Sequence, residues 1–139
     1  KLIWVVTKKN PLKKKPYLNI KKRIKLAKNL TIKNKKISIQ SLDDKIKSSN
    51  TYDLLNYIKK KNKRAKIYFL LGADNLVKFH KWKNWQKIPK LAKMVVFGRN
   101  NYSIKSFNTL TSKKINKKNW IYINSKRVNI SSSIIRKFW

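Results

Sequence analysis

The chain has 139 residues, of which 41% are hydrophobic, and this favours a single domain over residues 1–139 with one core. Lys and Arg number 38 against four acidic residues, a formal net charge of +34. The sequence contains no cysteine, which excludes a disulfide framework and a cysteine-based zinc site. No apolar run approaches the ~20 residues that span a bilayer, so no membrane partner is expected.

The positive charge allows two interpretations. Ammonium groups bind polyanions by releasing counterions, so the balance is typical of a nucleic-acid binder. However, only five of the basic residues are arginines, the better bidentate readers of phosphates and bases, and the lysines are spread along the chain. Lys, Asn and Ile are abundant while Gly and Pro are scarce, as A·T-rich codons would produce. A solvated basic surface is favoured, with nucleic acid as a partner only through non-specific charge.

The chain begins with lysine rather than methionine, and we expect that a preceding segment is missing. Residues 2–6 form an apolar run that predicts a buried strand. Residues 7–16 contain two prolines and predict a loop. Apolar residues spaced by three and four over residues 20–30 predict a helix. Residues 37–39 predict a short strand, and residues 43–50 a polar loop.

The middle of the chain gives the strongest local pattern. Thr51 is predicted to cap a helix whose apolar face follows it. Residues 67–71 form the clearest strand, which ends at Gly72. Asp74 is predicted to cap the short helix that comes next.

The remaining elements are less regular. Residues 85–91 predict a helix that is broken or bent by its proline. Residues 94–97 and 120–123 predict strands, residues 100–118 show little pattern, and residues 131–139 predict a final helix. Alternating strands and helices indicate an α/β fold with a parallel sheet covered by helices on both faces. Such sheets bind ligands at the C-terminal ends of their strands.

The turn after the clearest strand is the most specific candidate site. Gly72 turns the chain, and Asp74 then stands at the ligand edge of the predicted sheet. Asp74 is one of four acids in a basic chain, which makes it a candidate for binding ribose hydroxyls. The alternative is that it only caps a helix.

This turn belongs to a longer stretch that resembles a known family. Ile-Tyr-Phe-Leu-Leu-Gly-Ala-Asp-Asn-Leu at residues 67–76, with Phe79-His80-Lys81-Trp82, resembles the central segment of bacterial nicotinate-nucleotide adenylyltransferases. Other segments resemble the family in register, the first two its alphaproteobacterial branch: Trp4-Val5-Val6-Thr7, Asn10-Pro11-Leu12-Lys13, Asn50-Thr51-Tyr52-Asp53, Val96-Phe97-Gly98-Arg99 with Tyr102, and Ile130-Ser131-Ser132-Ser133-Ile134-Ile135-Arg136. The last segment is shared with other adenylyltransferases and identifies the superfamily only.

The resemblance implies a Rossmann-like nucleotidyltransferase fold and a cytoplasmic enzyme of NAD biosynthesis. The implied reaction transfers the adenylyl group of ATP, taken with Mg²⁺, to nicotinate mononucleotide. Nicotinate adenine dinucleotide and pyrophosphate are the products. The sequence gives no indication of oligomeric state.

The resemblance also implies contacts to the nicotinate nucleotide. Trp82 is implied to stack on the pyridinium ring, which a Trp face attracts; a core position is the alternative. Backbone amides at Thr51 and Lys83 are implied to bind the ring carboxylate, and Asp74 to bind the nucleotide. Where the family often has tyrosine this chain has Asn50, which changes one contact to the nicotinate moiety.

A second set of residues is implied to face phosphate. Exposed amides, hydroxyls and a guanidinium at a helix start form a phosphate cradle, although a plain serine cap is the alternative. The residues implied to hold the ATP phosphates are Ser131, Ser132, Ser133 and Arg136. Lys13 and Arg99 are further candidates.

The family's catalytic signature, Gly-x-Phe-x-Pro-x-His-x-Gly-His, is absent from this chain. Its single histidine, His80, is interpreted as a loop residue and not as a substitute, so no catalytic residue is assigned. We therefore expect that the first strand and helix of the fold are missing, through truncation or as a degenerate remnant. Two other functions stay open: a non-catalytic RNA- or ribosome-associated protein, and an adenylyltransferase for another phosphate substrate.

Overall fold

The computed structural model describes residues 1–9, 16–99 and 102–124. These residues form two compact units. The first contains Lys1–Ala65 and Lys81–Asn84, and the second contains Lys66–His80 and the described residues from Trp85 onward.

The first unit contains a two-stranded parallel sheet and three helices. Its elements are β1 (Leu2–Val5), α1 (Ile20–Thr31), β2 (Ile37–Gln40), α2 (Asp43–Ile46) and α3 (Thr51–Lys61). The register of the sheet pairs Leu2 with Ile37 and Val5 with Gln40. The apolar stripe predicted over residues 20–30 is helix α1, whose N-cap Asn19 accepts a hydrogen bond from the Lys22 amide.

The second unit contains a three-stranded parallel sheet in the order β3-β4-β5. Its elements are β3 (Tyr68–Gly72), α4 (Ala73–Val77), α5 (Ile88–Leu91), β4 (Lys93–Phe97), α6 (Ser103–Phe107), α7 (Leu110–Lys114) and β5 (Trp120–Ile123). Its core includes Leu76, Phe79, Ile88, Met94 and Val96, all nearly inaccessible to solvent. The predicted alternation of parallel strands and helices is confirmed.

Four predictions about the elements were wrong. Strand β1 is not buried: Trp4 is 43% exposed, because among the described strands β1 pairs with β2 alone. The first residues of the predicted loop 43–50 form helix α2, since two aspartates suit a helix N-terminus. Pro89 lies in the first turn of helix α5, which begins at Ile88 directly after a 3-10 turn at Trp85–Lys87, and does not break a continuous helix, because proline is tolerated in the first turn. The patternless stretch 100–118 contains α6 and α7, the latter begun by a capping box at Thr109.

The two predicted helix caps were also wrong. The N-cap of α3 is Asn50, and Thr51 is its first helical residue. The N-cap of α4 is Gly72, with Asp74 inside the first turn. Thr51 and Asp74 therefore lie inside their helices and are not the N-cap residues.

The predicted final helix over residues 131–139 and part of the loop over residues 7–16 lie outside the described residues. Among the residues that are described, no helix is long and apolar enough to cross a bilayer.

Candidate functional site

The N-terminus of α3 presents backbone amides that its own cap does not use. Asn50 has an extended backbone, φ −86° and ψ 138°, but its side chain makes no capping hydrogen bond. Its carboxamide nitrogen instead donates to Ser48 Oγ at 3.0 Å and to Asp53 Oδ2 at 3.5 Å. The first amides of a helix have no partner within the helix. At Thr51 and Tyr52 these groups therefore remain available to an anion, with the helix dipole in its favour.

Asp53 accepts hydrogen bonds from several polar groups around the start of α3. Its Oδ2 accepts hydrogen bonds from Ser48 Oγ at 2.6 Å and from Lys83 Nζ at 3.2 Å. The pKa of Asp53 is lowered chiefly by the Ser48 hydrogen bond; partial burial raises it, and Lys83 and Asn50 lower it further, so that the net shift is downward. The carboxylate is therefore ionised at neutral pH and held in place.

An open cavity of about 570 Å³ lies beside these groups. It is lined by Ile46, Lys47, Ser48, Ser49, Asn50, Asp53, Asn56, Tyr57, Lys60 and Lys83. Three of these side chains are lysines and one is a carboxylate, so the lining carries a net positive charge. Such a lining favours a polar, anionic ligand.

Tyr57, which also lines this cavity, has two further lysines beside its ring. The ammonium groups of Lys45 and Lys61 lie 6.0 and 5.5 Å from the centroid of its ring. Desolvation raises the pKa of the phenol, but hydrogen bonds and charge from the two lysines lower it by more. The part of the cavity beside Tyr57 can therefore attract anions through the charges of these two lysines.

The turn at Lys81–Asn84 brings Lys83 to Asp53, 30 residues away in the sequence. Asn84 has a left-handed backbone, φ 52°, which asparagine tolerates better than most residues. Trp82, directly before Lys83, is half-buried. His80 lies in a short 3-10 turn, and its Nδ1 is buried without a hydrogen-bond partner among the described residues.

In the second unit, Asp74 and Arg99 meet at the C-terminal ends of β3 and β4. Arg99 Nη1 donates to Asp74 Oδ2 at 3.0 Å. The other oxygen, Asp74 Oδ1, is buried and has no hydrogen-bond partner in the described chain. A Cβ built on Gly72 would stand 2.5 Å from that oxygen, so glycine is needed to leave it room. The carboxylate thus keeps one oxygen for a donor that the described residues do not supply.

Tyr122 repeats this arrangement one strand further along. Its hydroxyl is buried without a partner in the described part of the chain, and a Cβ on Gly98 would lie 2.8 Å from it. Its ring packs against Phe107 with centroids 4.7 Å apart. Both glycines of the chain therefore make room for a buried polar atom at the end of a strand.

The predicted nucleotide residues fall into two groups. Asn50, Thr51 and Lys83 come together at the start of α3, with Trp82 adjacent in the same turn. Asp74 and Arg99 form the second group, in the other unit. The predicted phosphate residues Lys13, Ser131, Ser132, Ser133 and Arg136 lie outside the described residues.

Sequence reasoning missed Asp53 and Tyr122. Asp53 carried a usable signal, because it is one of only four acids and lies two residues after Thr51. All four acids have partners: besides Asp53 and Asp74, Asp43 accepts from Lys8 N and Ser49 Oγ, and Asp44 pairs with the Lys8 side chain. Tyr122 had no such signal, because the alternation of residues in a strand predicts which face of the sheet a side chain lies on but not which residue it contacts.

Comparison with known proteins assigns the family. The cytidylyltransferase-like family model matches residues 1–138. The chain belongs to this family. A probable nicotinate-nucleotide adenylyltransferase of Pelagibacter ubique (strain HTCC1062) is 44% identical over 136 residues, covering 98% of this chain and 75% of the relative. Within the cytidylyltransferase-like family, the chain therefore belongs with the nicotinate-nucleotide adenylyltransferases, and the predicted resemblance is confirmed.

Two further matches support the family and the fold. A probable nicotinate-nucleotide adenylyltransferase of Aliarcobacter butzleri (strain RM4018) is 36% identical, over 79% of this chain and 63% of the relative. The structure of Plasmodium falciparum nicotinic acid mononucleotide adenylyltransferase complexed with NaAD has a TM-score of 0.67 at 21% identity, over 98% of this chain and 67% of that chain. The predicted nucleotidyltransferase fold is confirmed. The chain spans roughly two thirds to three quarters of the length of these proteins.

A divalent metal is generally used by nucleotidyltransferases that act on ATP. The described residues contain no group of three or more His, Cys, Asp or Glu side chains that could hold one. Of the two carboxylates near the predicted nucleotide residues, Asp53 is paired with Lys83 and Asp74 with Arg99. These two carboxylates therefore do not fit a resident metal site.

Proposed function

We propose that the protein transfers the adenylyl group of ATP to nicotinate mononucleotide, forming nicotinate adenine dinucleotide and pyrophosphate in NAD biosynthesis. An oxygen of the mononucleotide phosphate attacks the α-phosphorus of ATP, and the bond from that phosphorus to the bridging oxygen breaks. Pyrophosphate leaves with the electron pair. Such a reaction is accelerated by positioning and positive charge and needs no covalent intermediate.

The observation that carries this proposal is the start of α3. Its first amides have no cap from Asn50, and Lys83, which directly follows Trp82, is bound to Asp53 in the first turn of the same helix. A ring carboxylate is a suitable acceptor for these amides. Trp82 then supplies a π-face for the positively charged pyridinium ring. Carboxylate and aromatic cation together are the recognition features of nicotinate mononucleotide.

Asp74 and Arg99 are the candidate nucleotide contacts of the second unit in this proposal. Asp74 Oδ1, buried without a donor among the described residues, would accept a hydrogen bond from a ribose hydroxyl. Arg99 is half-exposed beside it, and its guanidinium would contact a phosphate. The partners are thus ATP and nicotinate mononucleotide, with Mg²⁺ arriving on the ATP phosphates as part of the substrate. Since both are phosphorylated metabolites, the cytoplasm is the proposed compartment.

Removing one amide tests the proposal with little disturbance to the helix. Thr51 is the first residue of α3, where proline is well tolerated, and Asn50 already has the extended backbone that a following proline requires. Thr51→Pro deletes the amide donor, and Thr51→Ala is the control that removes only the side chain. We expect Thr51→Pro to weaken nicotinate mononucleotide binding about tenfold relative to Thr51→Ala in isothermal titration calorimetry. Equal affinities would exclude this amide as the carboxylate site.

Trp82→Ala distinguishes the substrate from other phosphate compounds. Loss of the stacking face should weaken nicotinate mononucleotide binding roughly five- to thirtyfold, since a cation–π contact contributes about 1–2 kcal/mol. Trp85→Ala is not a suitable control because Trp85 packs edge-on against the buried Phe79. Trp4→Ala is the better matched control, because it makes the same substitution at a position in β1 that is 43% exposed. Unchanged affinity in Trp82→Ala would favour an adenylyltransferase for another substrate.

A further inference from the structure

We infer that Asp53 is a positioning residue that keeps the α3 amides open and the Trp82 turn in place for the nicotinate ring. This inference rests on the proposed function. Asp53 is not itself a ligand in this account, because its carboxylate oxygen Oδ2 is occupied by three donors of the protein. It acts through two of those donors, Lys83 and Asn50.

The first action holds the turn. The Lys83–Asp53 salt bridge at 3.2 Å joins the turn at Lys81–Asn84 to α3. Trp82 directly precedes Lys83, so the position of that ammonium group limits where the indole can lie. The rest of the turn offers little rigidity, since Lys81, Lys83 and Asn84 are exposed. The salt bridge thus limits the loss of conformational freedom when a ring binds against Trp82.

The second action restrains Asn50. Asparagine is among the strongest N-capping residues, and a cap would place its oxygen on the same amides that the substrate carboxylate needs. Here the carboxamide nitrogen of Asn50 is bound to Ser48 Oγ and Asp53 Oδ2. Ser48 Oγ also donates to Asp53, so the carboxylate anchors both contacts. Without Asp53, the Asn50 side chain is free to turn and cap α3 in competition with the substrate.

The charges support the same arrangement. A carboxylate in the first turn of a helix repels a second carboxylate that approaches the same terminus. Lys83 neutralises Asp53, so that a substrate anion meets the helix dipole without this repulsion. The Lys83 side chain is 55% exposed and that of Asp53 26%, so the pair itself is partly screened by solvent. We therefore expect Lys83→Met to weaken binding only about two- to fivefold.

The test combines Asp53→Ala with Asn50→Ala, measured as nicotinate mononucleotide affinity by isothermal titration calorimetry. We expect Asp53→Ala to weaken binding about tenfold and Asn50→Ala alone to change it less than threefold. In the double variant, removal of the competing cap should restore at least threefold of the lost affinity. A merely structural role for Asp53 predicts no such rescue, because a second truncation would add to the damage.

Two further variants complete the test. Lys63→Met removes one charge from the same unit, but Lys63 is exposed, lies outside the cavity lining and has no carboxylate partner among the described residues. It should leave affinity within twofold, whereas Lys83→Met should not, and Lys83→Arg should recover most of the loss. If Asp53→Ala fails to fold, as judged by circular dichroism, Asp53→Asn with and without Asn50→Ala takes its place.

The outcomes separate this inference from the proposed function. If Thr51→Pro and Trp82→Ala weaken binding but Asn50→Ala gives no rescue, Asp53 is not a positioning residue and the substrate assignment stands. If Thr51→Pro and Trp82→Ala have no effect, the proposed function itself is wrong. Equal losses in Lys63→Met and Lys83→Met would assign the effect to general charge and overturn the role of the salt bridge.

Discussion

Replacing Gly72 with alanine should disturb Asp74 specifically. The backbone at Gly72, φ −80° and ψ 154°, suits any residue, so alanine introduces no backbone strain. Its Cβ, however, would lie 2.5 Å from Asp74 Oδ1, whereas ordinary contacts begin at 3.4 Å. The carboxylate must therefore move by about 0.9 Å. That movement takes it out of line with the Arg99 guanidinium, to which it is bound at 3.0 Å.

The expected cost follows from three contributions. Overpacking costs about 1–3 kcal/mol. The half-exposed Arg99 contact is worth up to about 1 kcal/mol. Alanine restricts the unfolded chain and returns about 0.4–1 kcal/mol. Together these contributions span roughly 0–3.6 kcal/mol, and we expect Gly72→Ala to lower the free energy of unfolding by about 2 kcal/mol, near the middle of that span, measured by urea denaturation with tryptophan fluorescence.

The matched background is Asp74→Ala, in which the obstructing oxygen is gone. There, Gly72→Ala should be neutral or slightly stabilising, because only the effect on the unfolded chain remains. If Gly72→Ala is equally destabilising with and without Asp74, the carboxylate is not the obstacle and the reasoning is refuted. In the Asp74-containing chain, nicotinate mononucleotide or ATP affinity should fall about tenfold or more, since a bond to a charged group contributes about 1.5–3 kcal/mol.

Three other predictions follow from the same structure. Gly98→Ala should destabilise the fold because its Cβ would lie 2.8 Å from the Tyr122 hydroxyl, and Tyr122→Phe should remove most of that cost. A double-mutant cycle measured by thermal unfolding checks this, and additive effects of the two substitutions would contradict it. Because folding lowers the pKa of Asp53, its ionised form stabilises the protein above the unfolded value of about 3.9, and that stability is lost as pH falls through the folded value. Asp53→Asn should therefore destabilise the protein near neutral pH but not at a pH below the folded pKa of Asp53, and an equal effect at both would refute the linkage. Finally, the net charge of +34 should give RNA binding that weakens steeply with salt and shows no sequence preference; binding that persists at high salt would favour a dedicated nucleic-acid function.

The local patterns of the sequence predicted much of the fold. Strand β3 and the turn at Gly72 were evident because an apolar β-branched and aromatic run ends at a glycine. Helix α1 followed from its 3.6-residue periodicity. The exposure of β1 could not be predicted in this way, because burial depends on which elements cover a strand and not on its own composition.

The site was predicted less completely than the fold. Resemblance to the family indicated Asn50, Thr51 and Lys83, which do lie together. It could not indicate that the Asn50 side chain turns away from its helix, because that depends on a hydrogen bond to Ser48 and a carboxylate one turn on. The pairing of Lys83 with Asp53 spans 30 residues, and no local pattern predicts a contact at that separation.

The central claim is that this chain binds the carboxylate of nicotinate mononucleotide at the amides of α3. Its most direct test is the ratio of affinities for nicotinate mononucleotide and nicotinamide mononucleotide, which differ only in a carboxylate and a carboxamide, measured by calorimetry on the chain as it stands. A charged acceptor gains about 1–1.5 kcal/mol over a neutral one at such amides, so we predict a preference for the nicotinate compound of about tenfold. Thr51→Pro should reduce that preference towards one. Equal affinity for the two compounds in the unmodified chain would contradict the account.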